Sequence, residues 1–329
     1  MDSIEYLKEK MRWLKNFNIQ TPARRLGICS IGISPQGFTL AYAIQNAQQA
    51  ELILCETIPC EPKNFQTILS NMVEEYHLAG VKCVWMLQPE DYLLFTMEEL
   101  PVSADEFQAA IRWKIKKLIP FSTEDAVIDY FSIPAPLITD PKKNMTVVVA
   151  QSSRLNPIAE KLSNAGLNLA TIDIPELGLR NISNLYEQDE SSTALVYLRD
   201  KNSLLLISRQ QEFYMSRKLE LNLNAFISSA PEKTGDYLDH LALQLQRSFD
   251  YYHSHWRRPP PDKLLVVSPQ PLLDITQQQL GERLNIKVIE VDLNEKLRCK
   301  NKLTLTQQDT ALPMIGAALR TETKAHAAN

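Results

Sequence analysis

Glycine is scarce in this chain. Nine glycines stand in 329 residues and no two are adjacent. A loop that cradles phosphate needs backbone able to approach the ligand with no Cβ in the way. Three of the nine, Gly27, Gly32 and Gly37, fall in one stretch, LGICSIGISPQGFTLAYAI, and elsewhere there is almost none to build such a loop. Neither G-x-x-x-x-G-K-[ST] nor G-x-G-x-x-G occurs. Long apolar runs are missing too: KLLVVS and MTVVVA are strand-sized, far short of the ~18 residues a bilayer span needs. The first twenty residues mix acids with bases and hold no apolar core, so they do not read as a secretory signal. The five cysteines form no C-x-x-C pair, which fits reduced, buried thiols and excludes a disulfide framework. The five histidines give no H-E-x-x-H, and the HSH at His253 to His255 splays its rings at a helix end, so no metal site is expected. A net charge of −4 supplies no global field for nucleic acid or an acidic surface.

What is present is a repeated order of elements. Residues 2 to 16 carry an apolar stripe, Ile4, Leu7, Met11 and Leu14, and read as an amphipathic helix or arm. Strands follow at Arg25 to Ile33, Phe38 to Gln45 and Glu51 to Ile58, then a helix near Asn64 to His77 and a strand at Lys82 to Leu87. The same β-β-β-α-β order returns at Ala194 to Arg199, Ser203 to Ser208, Glu212 to Lys218, about Lys233 to His255, and Lys263 to Ser268. Two such ribonuclease-H-like units describe an α/β, actin-like fold with nucleotide in the cleft between lobes. The stripe Leu238, Leu241, Leu245, Phe249, Tyr252 and Trp256 packs the long helix on the second sheet.

Between the repeats, about residues 93–150, lies a small β-α-β-β insertion. Its helix opens on the capping box Ser103 and Glu106 and buries Phe107, Ile111, Ile115 and Leu118, with Pro120 as the stop. Arg112, Lys116 and Lys117 are left on the outer side beside Trp113, a basic and aromatic surface suited to a protein contact. No nucleic-acid module accompanies it, so RNA is not expected. The division expected is an arm at 1–20, a first lobe at 21–175 completed by a C-terminal helix at 309–320, and a second lobe at 176–308.

Four segments, AAIRWKIKKLIPFSTEDAVIDYFSIP, IDIPELGLRNI, LALQLQRSFDYYHS and LPMIGAALR, resemble the PilM family of pilus-assembly proteins, and most of all its MshI branch from the mannose-sensitive haemagglutinin pilus system. The resemblance spans about residues 24 to 320. It implies a cytoplasmic actin-like protein, peripheral to the inner membrane, on the assembly platform of a type IV pilus. It further implies that the protein binds the cytoplasmic N-terminal segment of a bitopic PilN-type partner in a groove between the first subdomain and the insertion. Contact with the assembly ATPase is a further implied partner. The cytoplasmic part of the type II secretion protein GspL is similar, so a secretion role is the neighbouring reading.

The same resemblance locates three nucleotide-binding pieces, and all three depart from the ATP-binding pattern. The first hairpin, of type D-x-G, reads Cys29-Ser30-Ile31-Gly32-Ile33-Ser34: Ser30 replaces the acid, Gly32 and Ser34 remain, and no lysine follows. A hydroxyl cannot supply the hard anionic oxygen that a Mg²⁺ shell prefers. In the second hairpin, Tyr197 to Arg199 stand where acid and glycine belong. The adenosine turn keeps Ser268 but puts Pro269 in place of glycine, fixing φ and removing an amide. Gly32 and Gly37 read more readily as turn residues than as phosphate contacts. The expectation is a degenerate ATPase with no catalytic residues and no cofactor, and an active ATPase dependent on ATP and Mg²⁺ is the alternative.

Overall fold

The computed structural model describes residues 27–45, 50–139, 142–187, 190–221, 231–268 and 273–321. The expected N-terminal helix, Pro269 and the end of the tail lie outside them. Alternating apolar residues build the first sheet. Strands β1 (Ile28–Ser34), β2 (Gly37–Gln45) and β3 (Ala50–Pro59) form an antiparallel meander, and after helix α1 (Phe65–Glu75) strand β4 (Lys82–Met86) lies parallel to β1. The chain then leaves the sheet for β5 (Tyr92–Glu98), α2 (Ala104–Ile115), β6 (Ala126–Ile133) and β7 (Asn144–Gln151). It returns through α3 (Ser152–Asn164) to β8 (Asn168–Asp173), parallel to β4.

Helix α4 (Pro175–Asn184) leads to the second sheet. There β9 (Thr193–Tyr197), β10 (Ser203–Arg209) and β11 (Glu212–Leu219) precede α5 (Pro231–Trp256), β12 (Lys263–Val267), α6 (Leu273–Leu284) and β13 (Lys287–Glu290). The sheet orders are β3-β2-β1-β4-β8 and β11-β10-β9-β12-β13, the same order with the same strand senses. This is the actin-like arrangement of two ribonuclease-H-like lobes. A short helix α7 (Leu293–Lys296) then leads to β14 (Arg298–Cys299), which extends the first sheet alongside β3. Helix α8 (Leu305–Ala318) closes the chain over β1, β2 and β3.

The period-two pattern of β1 and β4 sorts the first sheet into two faces. Cys29, Ile31, Cys83 and Trp85 join the core under α1 and α3, whereas Val84 and Met86 join the core shared with α4, α8 and the second lobe. On that second face β1 and β2 offer small residues, Ser30, Gly32, Ala41 and Ala43. Small side chains let α8 come close.

The insertion is a three-stranded antiparallel sheet, β5-β7-β6, with α2 packed on Met145, Val147 and Val149. Phe107, Ile111 and Ile115 are buried as their spacing predicts, but Leu118 is exposed and Ile119 takes its place. The cause is local. Beyond Ile115 the chain keeps turning: the Ile115 carbonyl accepts from Leu118 N and also from Ile119 N four residues on, so the i+4 residue Ile119 continues the row of Phe107, Ile111 and Ile115. The capping box at Ser103 is not closed: its hydroxyl bonds the Glu106 carboxylate at 3.0 Å and makes no bond to the helix backbone. A complete box stands at Thr304 and Gln307, opening α8.

Candidate functional site

Helix α8 is the element on which the two hairpins meet. Pro313 sits inside it. Proline has no N–H, so the carbonyl four residues earlier, that of Asp309, loses its helical donor. The second lobe fills the gap. Tyr197 Oη donates to Asp309 O at 2.9 Å, and Arg199 Nη2 donates to the same carbonyl and to Tyr197 Oη. Arg199 Nη1 pairs with Asp309 Oδ2 at 2.8 Å, and the guanidinium lies over the Tyr197 ring at 4.2 Å. About five residues on, or ~7.5 Å along the axis, the first lobe does the same: Ser30 Oγ donates to Met314 O at 2.5 Å.

Burial sets the electrostatics of this clasp. Asp309 has its carboxyl pushed up by burial, and the Arg199 guanidinium pulls it partway back. Desolvation lowers Arg199, but Tyr197 and Asp309 more than reverse that and hold it charged. Tyr197 is raised by burial and stays neutral.

Each residue expected at a nucleotide site now has a position. Ser30 is fully buried against α8. Gly32 is not at the turn. It lies in β1 opposite Thr39, and a Cβ there would sit 2.7 Å from Met314 Sδ, so its role is close packing under α8. Gly37, at φ +144°, is the turn glycine, and a Cβ on it would overlap Ile58 O. Ser34 Oγ accepts from Gln36 N at 3.3 Å and donates to Gly37 O at 3.4 Å, bracing that turn. Ser268 is buried just past β12, next to Val267, whose carbonyl accepts from Leu198 N. Thus Ser30 and Gly32 meet the Tyr197 and Arg199 pair through α8.

The expected contact surface on α2 divides. Arg112 Nη1 donates to Thr123 O at 2.6 Å and Ala126 O at 3.1 Å, tying the helix to the start of β6. Trp113, Lys116 and Lys117 are exposed. At the end of α5, His253 Nδ1 contacts Arg258 O at 2.7 Å and His255 stacks on Tyr251. Among the described residues no cluster of His, Cys, Asp and Glu could hold a metal ion.

Sequence reasoning passed over a buried acidic pair. Asp173 ends β8 in register with Met86, which is itself in register with Gly32. Its carboxylate accepts from Ile174 N at 2.9 Å and from Arg320 Nη1 at 3.1 Å, and burial raises it despite Arg320. Glu176 accepts from Tyr92 Oη at 2.6 Å and is likewise raised by burial. The signal was present in IDIPELGLRNI, two acids at the end of an apolar strand, where an acid is buried only with a partner.

No family model and no curated protein matches the sequence. Among the structures that resemble it is a PilM–PilN type IV pilus biogenesis complex, 17% identical, covering 90% of this chain and 97% of that one at a TM-score of 0.64. The cytoplasmic domain of EpsL, an inner-membrane component of the type II secretion system of Vibrio cholerae, is 13% identical over 89% of this chain and 95% of its own, with a TM-score of 0.46. A Bacteroides thetaiotaomicron protein of actin-like ATPase fold is 10% identical over 85% of this chain and 95% of its own, with a TM-score of 0.47. Taken with the duplicated sheet order, the first of these likenesses fixes the fold as that of PilM and the actin-like proteins.

Proposed function

We propose that the chain is a non-catalytic, actin-like scaffold of a type IV pilus assembly platform, of the MshI kind. On this reading it is cytoplasmic, held at the inner membrane, and binds the cytoplasmic N-terminal segment of a bitopic PilN-type partner between the first lobe and the insertion. The observation that carries the reading is the likeness to a PilM–PilN complex over 90% of the chain. Support for the non-catalytic part is chemical. At the two hairpins Ser30, Tyr197 and Arg199 are spent on α8, and none of them supplies the acid that Mg²⁺ needs. Among the described residues no helix is long and apolar enough to cross a membrane.

The test has two arms. Synthetic peptides from the cytoplasmic N-termini of bitopic proteins encoded nearby are expected to co-purify with the full chain, and failure of every peptide removes the platform role. A fluorescent ATP analogue, titrated with and without Mg²⁺, is expected to show no magnesium-dependent binding. Micromolar binding that requires Mg²⁺ restores the active ATPase.

A further inference from the structure

The insertion carries an unusual surface that the clasp does not use. Trp113 is 81% exposed, the most exposed large apolar side chain among those described. It is two residues from the end of α2, and Lys116 continues the helical backbone at φ −49° and ψ −34°. Trp113, Lys116 and Lys117 therefore share one face, at i, i+3 and i+4. Lys114 and the half-exposed Leu118 flank them. From Phe107 to Thr123 the sequence has four basic residues and no acid. Arg112 is spent on Thr123 and Ala126, whereas Lys114, Lys116 and Lys117 have no ion-pair partner among the described residues.

Water is a poor solvent for an indole, and a protein pocket that receives one brings an apolar rim. Here three lysines surround the indole, with the half-exposed Leu118 beside them. Tryptophan among lysines suits the boundary of a bilayer, where the ring lies at headgroup level and the ammonium groups reach lipid phosphate.

We propose that this end of α2 is a membrane-surface contact, with Trp113 seated among the headgroups of an anionic leaflet and Lys114, Lys116 and Lys117 on their phosphates. The contact belongs to the chain itself. It goes beyond the pilus reading and does not require the bitopic partner.

The test uses the full chain and vesicles of phosphatidylcholine with or without phosphatidylglycerol, and no partner protein. Binding is expected only to the anionic vesicles and is expected to weaken with salt. Each lysine near an anionic surface contributes about a fivefold factor, so K114Q/K116Q/K117Q, which removes three charges, should bind roughly a hundredfold more weakly. W113S should bind more weakly while keeping the salt dependence. All four positions are exposed, so both variants should melt with the parent. The segment at 1–26 is also basic and amphipathic in sequence, and the variants separate it: undiminished vesicle binding by both overturns the proposal. Absence of any vesicle binding overturns it too, as does retention of a polyglutamate peptide in its place.

Discussion

Ser30 is the residue whose chemistry decides most. The carboxylate of an ATP-binding hairpin would need a metal, whereas this hydroxyl needs only the Met314 carbonyl, 284 residues away in sequence. Restoring the acid should therefore fail. In Ser30→Asp a carboxylate would face a carbonyl oxygen in a fully buried position, and an unpaired buried charge costs about 3–5 kcal/mol. Urea denaturation should show a loss of that order, and the variant should gain no binding of Mg-ATP. Arg199 gives the converse case. In Arg199→Leu the mostly buried Asp309 loses its partner, which, discounted for the 23% and 15% side-chain exposure of the pair, should cost about 2–3 kcal/mol near neutral pH. Its pH dependence has a definite sign. Burial already raises Asp309 and Arg199 lowers it, so the variant raises it further above its unfolded value. The cost is greatest above that raised value and shrinks as falling pH protonates the acid. Denaturation at about pH 7 and about pH 5 should thus show the larger deficit at the higher pH, and a deficit independent of pH would mean that Asp309 is not held by charge. None of these partners was legible locally, because Ser30 and the Tyr197 to Arg199 run read only as departures from an acid and glycine pattern until the far helix is in place.

Among the elements, α8 and α4 set the spacing of the molecule. They cross where Gly178 and Gly316 face one another, and a Cβ on Gly316 would overlap the Gly178 carbonyl. Because backbone cannot step aside as a side chain can, Gly316→Ala should cost about 3 kcal/mol, the upper end of overpacking. Gly235 is the control. It lies in α5 with nothing near its missing Cβ, so Gly235→Ala should stabilise by about 0.5–1 kcal/mol. Thermal melts of the two variants should move in opposite directions, and a shared direction would refute the close crossing. Most strands were legible in advance, since alternation and β-branched runs mark them; the two-residue β14 was not, since only the edge of β3 makes it a strand. The end of α2 was not, since Leu118 and Ile119, at i+3 and i+4 from Ile115, are both apolar and both lie near the buried row, and only packing chooses Ile119. Helix α8 was legible across Pro313 over 309–320, but its first turn with the Thr304 and Gln307 capping box was not, nor were the second lobe's donors to Asp309 O that stabilise the passage of the proline.

For the whole molecule, the repeat of element order was enough to give the actin-like fold, because each unit closes its sheet by local connections. What the repeat could not reveal is how firmly the lobes are joined. After the second sheet the chain crosses back and joins the first lobe through two elements, β14 on β3 and α8 over β1 to β3. Beyond the clasp on α8, Phe131 of β6 meets Phe213 of β11 edge to face at 5.2 Å. Trp256 Nε1 donates to Pro134 O at 2.9 Å, Leu137 N donates to Trp256 O at 3.1 Å, and Asn202 Nδ2 donates to Glu90 Oε1 at 2.7 Å. A nucleotide-driven machine needs its lobes to move apart and together; here apolar stacking, a partly buried ion pair and a strand added to the first sheet all oppose that. The two lobes should consequently open together. In native-state hydrogen exchange the central strands β4 and β12, one from each lobe, should exchange through a common opening of the same free energy. Addition of Mg-ATP should leave both unchanged. An opening that releases β12 while β4 stays protected would show that the lobes are independent and that the clasp does not join them. In Arg199→Leu, where the clasp on α8 is cut, the two strands should begin to separate, with β12 exchanging first because its sheet retains fewer ties to α8.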